Sequence, residues 1–275
     1  MSQTSTFVKK LAANDRPTRE AAFEALKKFL SSKQQTQKMS LLEMEKLWKG
    51  LYYSMWFCDR PRPQERLAEK LGQLFSSVVP VGAFCSFVEA FWVVMIKEWP
   101  NVDQWRVDKY YLLIRRVVRH CFINLQKKEW DEELVANYNK ALTKLPLSGD
   151  KSVSMALPYH LCDIYVEELE HIMFKDLKEE EDDLEEGDTE AYQELFAKKL
   201  AIVGETPILK LLEPFEQLST SALLKTLREK CKEEVLTDSR LKDWGVIGSD
   251  SDDEDDEEKK DGEDEDSDDE WNGFA

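Results

Sequence analysis

Three histidines give the chain its first openings for acid–base or metal chemistry: His120, His160 and His171. His160 and His171 are three helical turns apart and can share a helix face, but the rise separates them by about 16 Å, too far for one metal ion. His120 has no partner nearby in sequence. The acid pairs Asp131/Glu132 and Glu167/Glu168 have no adjacent nucleophile or ligand set, so they read as solvated helix faces. The chain contains no G-x-x-x-x-G-K-[ST], G-x-G-x-x-G, G-x-S-x-G or H-E-x-x-H. The expectation is no catalytic residue, no metal and no cofactor. Five cysteines (58, 85, 121, 162 and 231) are odd in number and lack C-x-x-C spacing, which predicts buried free thiols in a reducing compartment.

Binding chemistry is better represented. Over 103–127 a predicted helix carries an apolar arc from Tyr110 to Leu125. Opposite it lie Lys109, Arg115, Arg116 and Arg119, with Arg106 just before them and Asp108 as the only nearby acid. Like charges at i,i+3 and i,i+4 repel by about 0.2–0.5 kcal/mol per pair, so such a stripe calls for an anion. With Trp105 and Leu112 interleaved, it suits a phosphate backbone. Pairing with acids of neighbouring helices, for instance Asp131, Glu132 or Glu133, is the alternative. A second basic feature is "DRPRP" (59–63). A residue before proline avoids the α region, which predicts Arg60 and Arg62 extended on a stiff corner, with Pro63 opening the next helix. The arginines could pair within the hairpin, or grip a phosphate or carboxylate.

The elements that position these groups are helical. Only ten glycines and nine prolines interrupt 275 residues. Helical patterns follow at 18–30, 41–57, 63–79, 82–99, 103–127, from 130, 154–175, 190–202, 206–218 and 220–236, with no convincing strand alternation. Paired, they start near 17, 63, 103 and 153. The resulting spacings of 46, 40 and 50 residues match helical-hairpin repeats of the HEAT or armadillo kind. Within 41–57, Leu41, Met44, Trp48, Leu51, Tyr52 and Met55 form one stripe, and Tyr53, Trp56 and Phe57 lie on another side. A helix apolar on two sides belongs inside such an array, flanked by its partner and the adjacent repeats. The fold class predicted is all-α, a helical-hairpin repeat array over 1–175. An acidic linker (176–190), a small helical segment (191–248) and an acidic tail (249–275) follow.

The net charge of −18 is unevenly spread. The tail contributes −14 and 176–190 a further −9, so 1–175 is mildly basic at +5. The tail composition predicts disorder. Ser249, Ser251 and Ser267 each have an acid three residues on, a pattern that acid-directed kinases favour. Trp271 and Phe274 close the chain as a possible anchor for a basic, apolar groove. The N-terminus lacks a basic-then-apolar leader, and apolar runs such as "FWVVMI" (91–96) are too short to span a bilayer. No secretory signal, membrane or small-molecule substrate is expected.

Three stretches carry a resemblance: "LWKGLYYSMWFCDRPRPQERLAEKLGQL" (47–74), "FWVVMIKEWPNVDQWRVDKYYLLIRRVV" (91–118), and "LPLSG" (145–149) followed by "ALPYHLCDIYVEEL" (156–169). In this order they resemble the ribosomal RNA-processing protein 1 family, over roughly 5–175. The acidic tail is similar to the short fungal forms. The resemblance implies a nucleolar, non-catalytic assembly factor of the large ribosomal subunit, scaffolding precursor rRNA, assembly factors and ribosomal proteins during rRNA processing. It hands no catalytic role to any residue. The competing reading is an acidic chaperone that shields basic clients, such as histones or ribosomal proteins, with 249–270.

Overall fold

A computed structural model describes residues 15–184 and 188–248, with Phe7, Lys9 to Leu11 and Ala13. Among these residues the fold is all-α, without a strand. The main helices are α1 (Arg16–Leu30), α2 (Leu41–Trp56), α3 (Pro61–Gln73), α4 (Val81–Glu98), α5 (Val107–Lys127) and α6 (Glu132–Lys144). They continue with α7 (Ala156–Met173), α8 (Thr189–Glu205), α9 (Ile208–Ser221), α10 (Lys225–Cys231) and α11 (Ser239–Asp243). α3 and α10 each run on into a five-residue π-helical turn, Leu74–Val78 and Lys232–Leu236.

Local chemistry sets the starts. Asp15 accepts from the Thr18 amide ahead of α1, and its neighbour Pro17 suits a first turn, where no amide partner is needed. Ser40 and Glu43 form a reciprocal capping box on α2. Asp131 caps α6 and Asp188 caps α8. α5 begins at Val107 rather than at 103, because the Asp103 carboxylate accepts from the Trp105 amide and holds 103–106 in a turn.

Alternate helices pack together, with α8 passed over. α2, α4, α6 and α9 form one layer; α3, α5, α7 and α10 form the other. This is the two-layer helical-repeat architecture that the hairpin spacing predicts. α8 lies outside both layers, tied on by Lys198–Glu180 (2.5 Å) and Lys199–Glu181 (2.7 Å) ion pairs. The core runs unbroken from Leu11 to Trp244, so α9 and α10 extend the array beyond 175.

The two-sided apolar α2 is explained by its neighbours. Trp48 packs on Phe87 and Phe91 of α4 at 5.2 and 4.9 Å, and on Phe75 at 5.5 Å. Tyr52 stacks on Tyr110 of α5 at 4.5 Å. Each such pair adds about 0.5–1.5 kcal/mol beyond area burial. α3 and α5 cross at Gly72, where a Cβ would meet His120 Cδ2 at 2.4 Å. That crossing needs a residue without a side chain, and it sets the depth at which the α5 cations sit.

Candidate binding surface

The stripe on α5 is neutralised inside the array. Arg115 makes a two-pronged pair with Glu167 of α7 (2.7 and 3.0 Å) and also reaches Glu168 at 3.0 Å. Arg119 grips both oxygens of Glu168, at 2.5 and 2.9 Å. The Glu168 side chain is only 1% exposed. It is therefore no solvated acid, contrary to the sequence reading. Three hydrogen bonds from two guanidinium groups are what allow a carboxylate to sit that deep. Arg116 lies 3.7 Å from Glu69 of α3. The partners come from α3 and α7 rather than from Asp131, Glu132 or Glu133. Asp131 is occupied as a cap and Glu132 pairs with Lys210 at 2.5 Å. The hydrogen bond to Glu167 raises the Arg115 pKa and lowers that of Glu167.

Lys109 and Arg106 perform a different task. Lys109 is buried rather than projecting, because its Nζ donates to the carbonyls of Trp56 (2.6 Å) and Cys58 (3.0 Å) at the C-terminal end of α2. A cation at that negative helix end contributes about 1–2 kcal/mol in a partly buried setting. Burial lowers its pKa. Arg106 pairs with Asp103 and lies over the Trp56 ring, 4.4 Å from its centroid.

His120 is not alone. Ser76 Oγ lies 2.7 Å from its Nδ1 and Glu69 Oε1 3.0 Å from its Nε2. Burial lowers the imidazole pKa against the opposing pull of Glu69. Burial raises Glu69, but the charges of His120 and Arg116 and its hydrogen bonds outweigh it and lower the pKa overall. This hydroxyl–imidazole–carboxylate chain fastens the π-helical end of α3 to α5. His160 Nε2 bonds the Tyr111 carbonyl at 3.0 Å. Among the described residues no cluster of three His, Cys, Asp or Glu is placed to hold a metal. The five cysteines are free, with Cys162 and Cys231 sulfurs 3.7 Å apart.

The corner differs in part from expectation. Arg60 is extended (φ −108°, ψ 139°), but α3 starts at Pro61, so Arg62 is helical. The clash before Pro63 disfavours the α region without forbidding it, and Pro63 still falls in the first turn, where its missing N–H costs no bond. Both arginines are exposed and, among the described residues, neither has an ion pair. Beside them a groove of about 400 Å³ runs between α1, the corner and α3. Ser249, Ser251, Ser267, Trp271 and Phe274 lie outside the described residues. No described helix is long and apolar enough to cross a membrane. On α8, Tyr192, Phe196 and Leu200 are exposed at four-residue intervals along one face.

The profile of the family described as "Nucleolar protein, Nop52" matches residues 2–273. The chain belongs to the Nop52 family. Its similarity extends to ribosomal RNA processing protein 1 homolog B of mouse, 37% identical over 165 residues, covering 59% of this chain and 23% of that protein. The human homolog B is 36% identical over 173 residues (62% of this chain, 23% of that protein). The Caenorhabditis elegans homolog is 33% identical over 164 residues (60% and 41%). The matched part thus spans less than half the length of these relatives. An engineered protein of known structure aligns over 90% of the chain and 98% of its own, at 16% identity and a TM-score of 0.31. These relatives are named for ribosomal RNA processing.

Proposed function

We propose that this Nop52-family chain is a non-catalytic assembly factor of the large ribosomal subunit precursor, acting in the nucleolus. Its array holds protein partners and precursor rRNA in position while the RNA is processed. One observation carries the reading: Arg115 and Arg119 are spent on fastening α5 to α7, while Arg60 and Arg62, without an ion pair among the described residues, are exposed at the corner. Precursor rRNA offers phosphates to such a corner, and a guanidinium on short, stiff backbone loses little freedom on binding. The exposed aromatic stripe of α8 supports a protein contact of the helix-in-groove type with another assembly factor of the particle.

The test compares two charge reversals. Arg60→Glu with Arg62→Glu should leave the melting temperature unchanged and weaken association with the precursor particle. The salt slope of RNA binding should fall by about one unit for each phosphate no longer neutralised. Arg115→Glu with Arg119→Glu should lower the melting temperature first. Unchanged particle association in the corner variant refutes the RNA contact. Loss of a basic client on removing 249–275, with particle association retained, favours the acidic-chaperone reading instead.

A further inference from the structure

We propose that the groove beside the corner is the docking site of the chain's own C-terminal segment, 249–275. The acidic run would lie along the basic rim, with Trp271 and Phe274 against the apolar floor.

The groove fits such an occupant in shape and charge. Its volume of about 400 Å³ lies within the range of sites that enclose a ligand. Phe57, 49% exposed, and Leu67 line it, so part of its surface gains from cover. Five cations line it against two carboxylates, Glu20 and Asp59. Arg16 is paired with Glu20, whereas Arg60, Arg66 and Lys70 have no ion pair among the described residues. A positive, partly aromatic groove selects a ligand that is acidic with apolar side chains at one end. The final segment has that composition: sixteen acids against two lysines, and then "WNGFA".

Reach and concentration favour this occupant over others. The array spans six helix rows at most; at 8–10 Å between neighbouring helices that is about 50 Å. Residues 249–270 extend to about 75 Å, and self-repulsion lengthens such a segment. Trp244, packed on Phe174, fixes the point from which the segment departs at the far end of the array. Residues 1–6 carry no charged side chain and do not match the rim. Docking of the segment would cover Arg60, and so would set the tail and an external polyanion in competition for it.

Cys58 lines the groove and reports on it. The full chain carrying Ala275→Cys, which keeps both aromatics, is oxidised with diamide at low protein concentration and 50 mM salt, and its disulfides are mapped by peptide mass spectrometry. The expected result is a dominant intramolecular bridge between Cys58 and the thiol introduced at position 275. Arg60→Glu with Arg66→Glu and Lys70→Glu should abolish it with the helical circular dichroism unchanged. The second readout is alkylation of Cys58 in the unmodified full chain. With an effective concentration near 1 mM for a tethered segment, an intrinsic Kd of about 0.1 mM covers Cys58 about nine-tenths of the time and slows alkylation about tenfold. Trp271→Ser with Phe274→Ser should restore the faster rate. Bridges spread over Cys58 and Cys85 without preference overturn the proposal. So does a bridge that forms only between molecules, which assigns the groove to a second copy. Protection of Cys58 by a twelve-nucleotide single-stranded RNA, with the Trp271/Phe274 variant alkylated at the parent rate, assigns the groove to nucleic acid and overturns it too.

Discussion

Arg119→Ala is the sharpest probe of how α5 and α7 are joined. The substitution removes two of the three hydrogen bonds that Glu168 receives, and it leaves a carboxylate that is 1% exposed with one bond from Arg115. The Arg119 side chain is itself only 20% exposed, so solvent screens the pair little. Breaking a buried pair by removing one partner costs about 3–5 kcal/mol. For a chain of this size each kcal/mol lowers Tm by about 2–4 °C, so the fall should be about 6–20 °C. Arg16→Ala serves as the control. Its pair with Glu20 has side chains 69% and 53% exposed and is worth at most about 1 kcal/mol. Replacing Arg119 and Glu168 together by leucine removes both charges and should recover most of the loss. The assay is thermal and urea unfolding followed by circular dichroism. A Tm for Arg119→Ala within about 2 °C of the parent, under 1 kcal/mol, would mean that water reaches Glu168, and the reasoning would fail.

Gly72→Ala should destabilise by about 1–3 kcal/mol in urea unfolding, because the added carbon meets His120 Cδ2 at 2.4 Å and the Arg116 carbonyl at 2.9 Å. Gly204→Ala, with nothing within 4 Å, should instead stabilise by about 0.4–1 kcal/mol. Burial lowers the pKa of His120, His160 and His171 below 6.5, so the unfolded chain takes up protons first. Stability should hold above pH 6.5 and be lost as the pH falls below it, with a second loss below about 4.5 as Glu69 and Glu167 protonate; a Tm that rises between pH 7 and 5.5 would contradict this. A chain ending at 248 should keep the helical circular dichroism of the full chain, since the core ends at Trp244, and its melting temperature should fall by no more than the few degrees that loss of a docked segment accounts for.

The helices were legible because their punctuation is local. Prolines at 17, 61, 63, 80 and 100 and the caps at Asp15, Ser40 and Asp131 mark starts within a few residues. The two-sided apolar pattern of α2 also announced its place between layers. Pairing of the stripe with acids of neighbouring helices held in kind, but the acids named for it, Asp131, Glu132 and Glu133, were the wrong ones. The repulsion along α5 is real, but Arg115 and Arg119 are answered by acids of α7, and Lys109 by the carbonyls at the end of α2. Arg62 failed for another reason: the rule for residues before proline is a steric preference, and α3 gains a full first turn by overriding it.

The missing partners were not beyond reach of the sequence. Arg115 pairs with Glu167 across 52 residues, Arg119 with Glu168 across 49, and His120 with Glu69 across 51. Lys97 reaches Glu45 across 52, Lys144 reaches Glu89 across 55, and Lys109 reaches the Cys58 carbonyl across 51. These separations all fall near one value because a helix in a two-layer array packs on the equivalent helix of the next repeat. The hairpin starts near 17, 63, 103 and 153 already set that value at 40–50 residues. A cation on one helix therefore finds its acid by stepping about one repeat along the chain, and from Arg115 and Arg119 that step ends at Glu167 and Glu168. Arg60 and Arg62 lack such an answer among the described residues: one repeat on, residues 105–115 offer Asp108 as their only acid, and neither arginine has an ion pair.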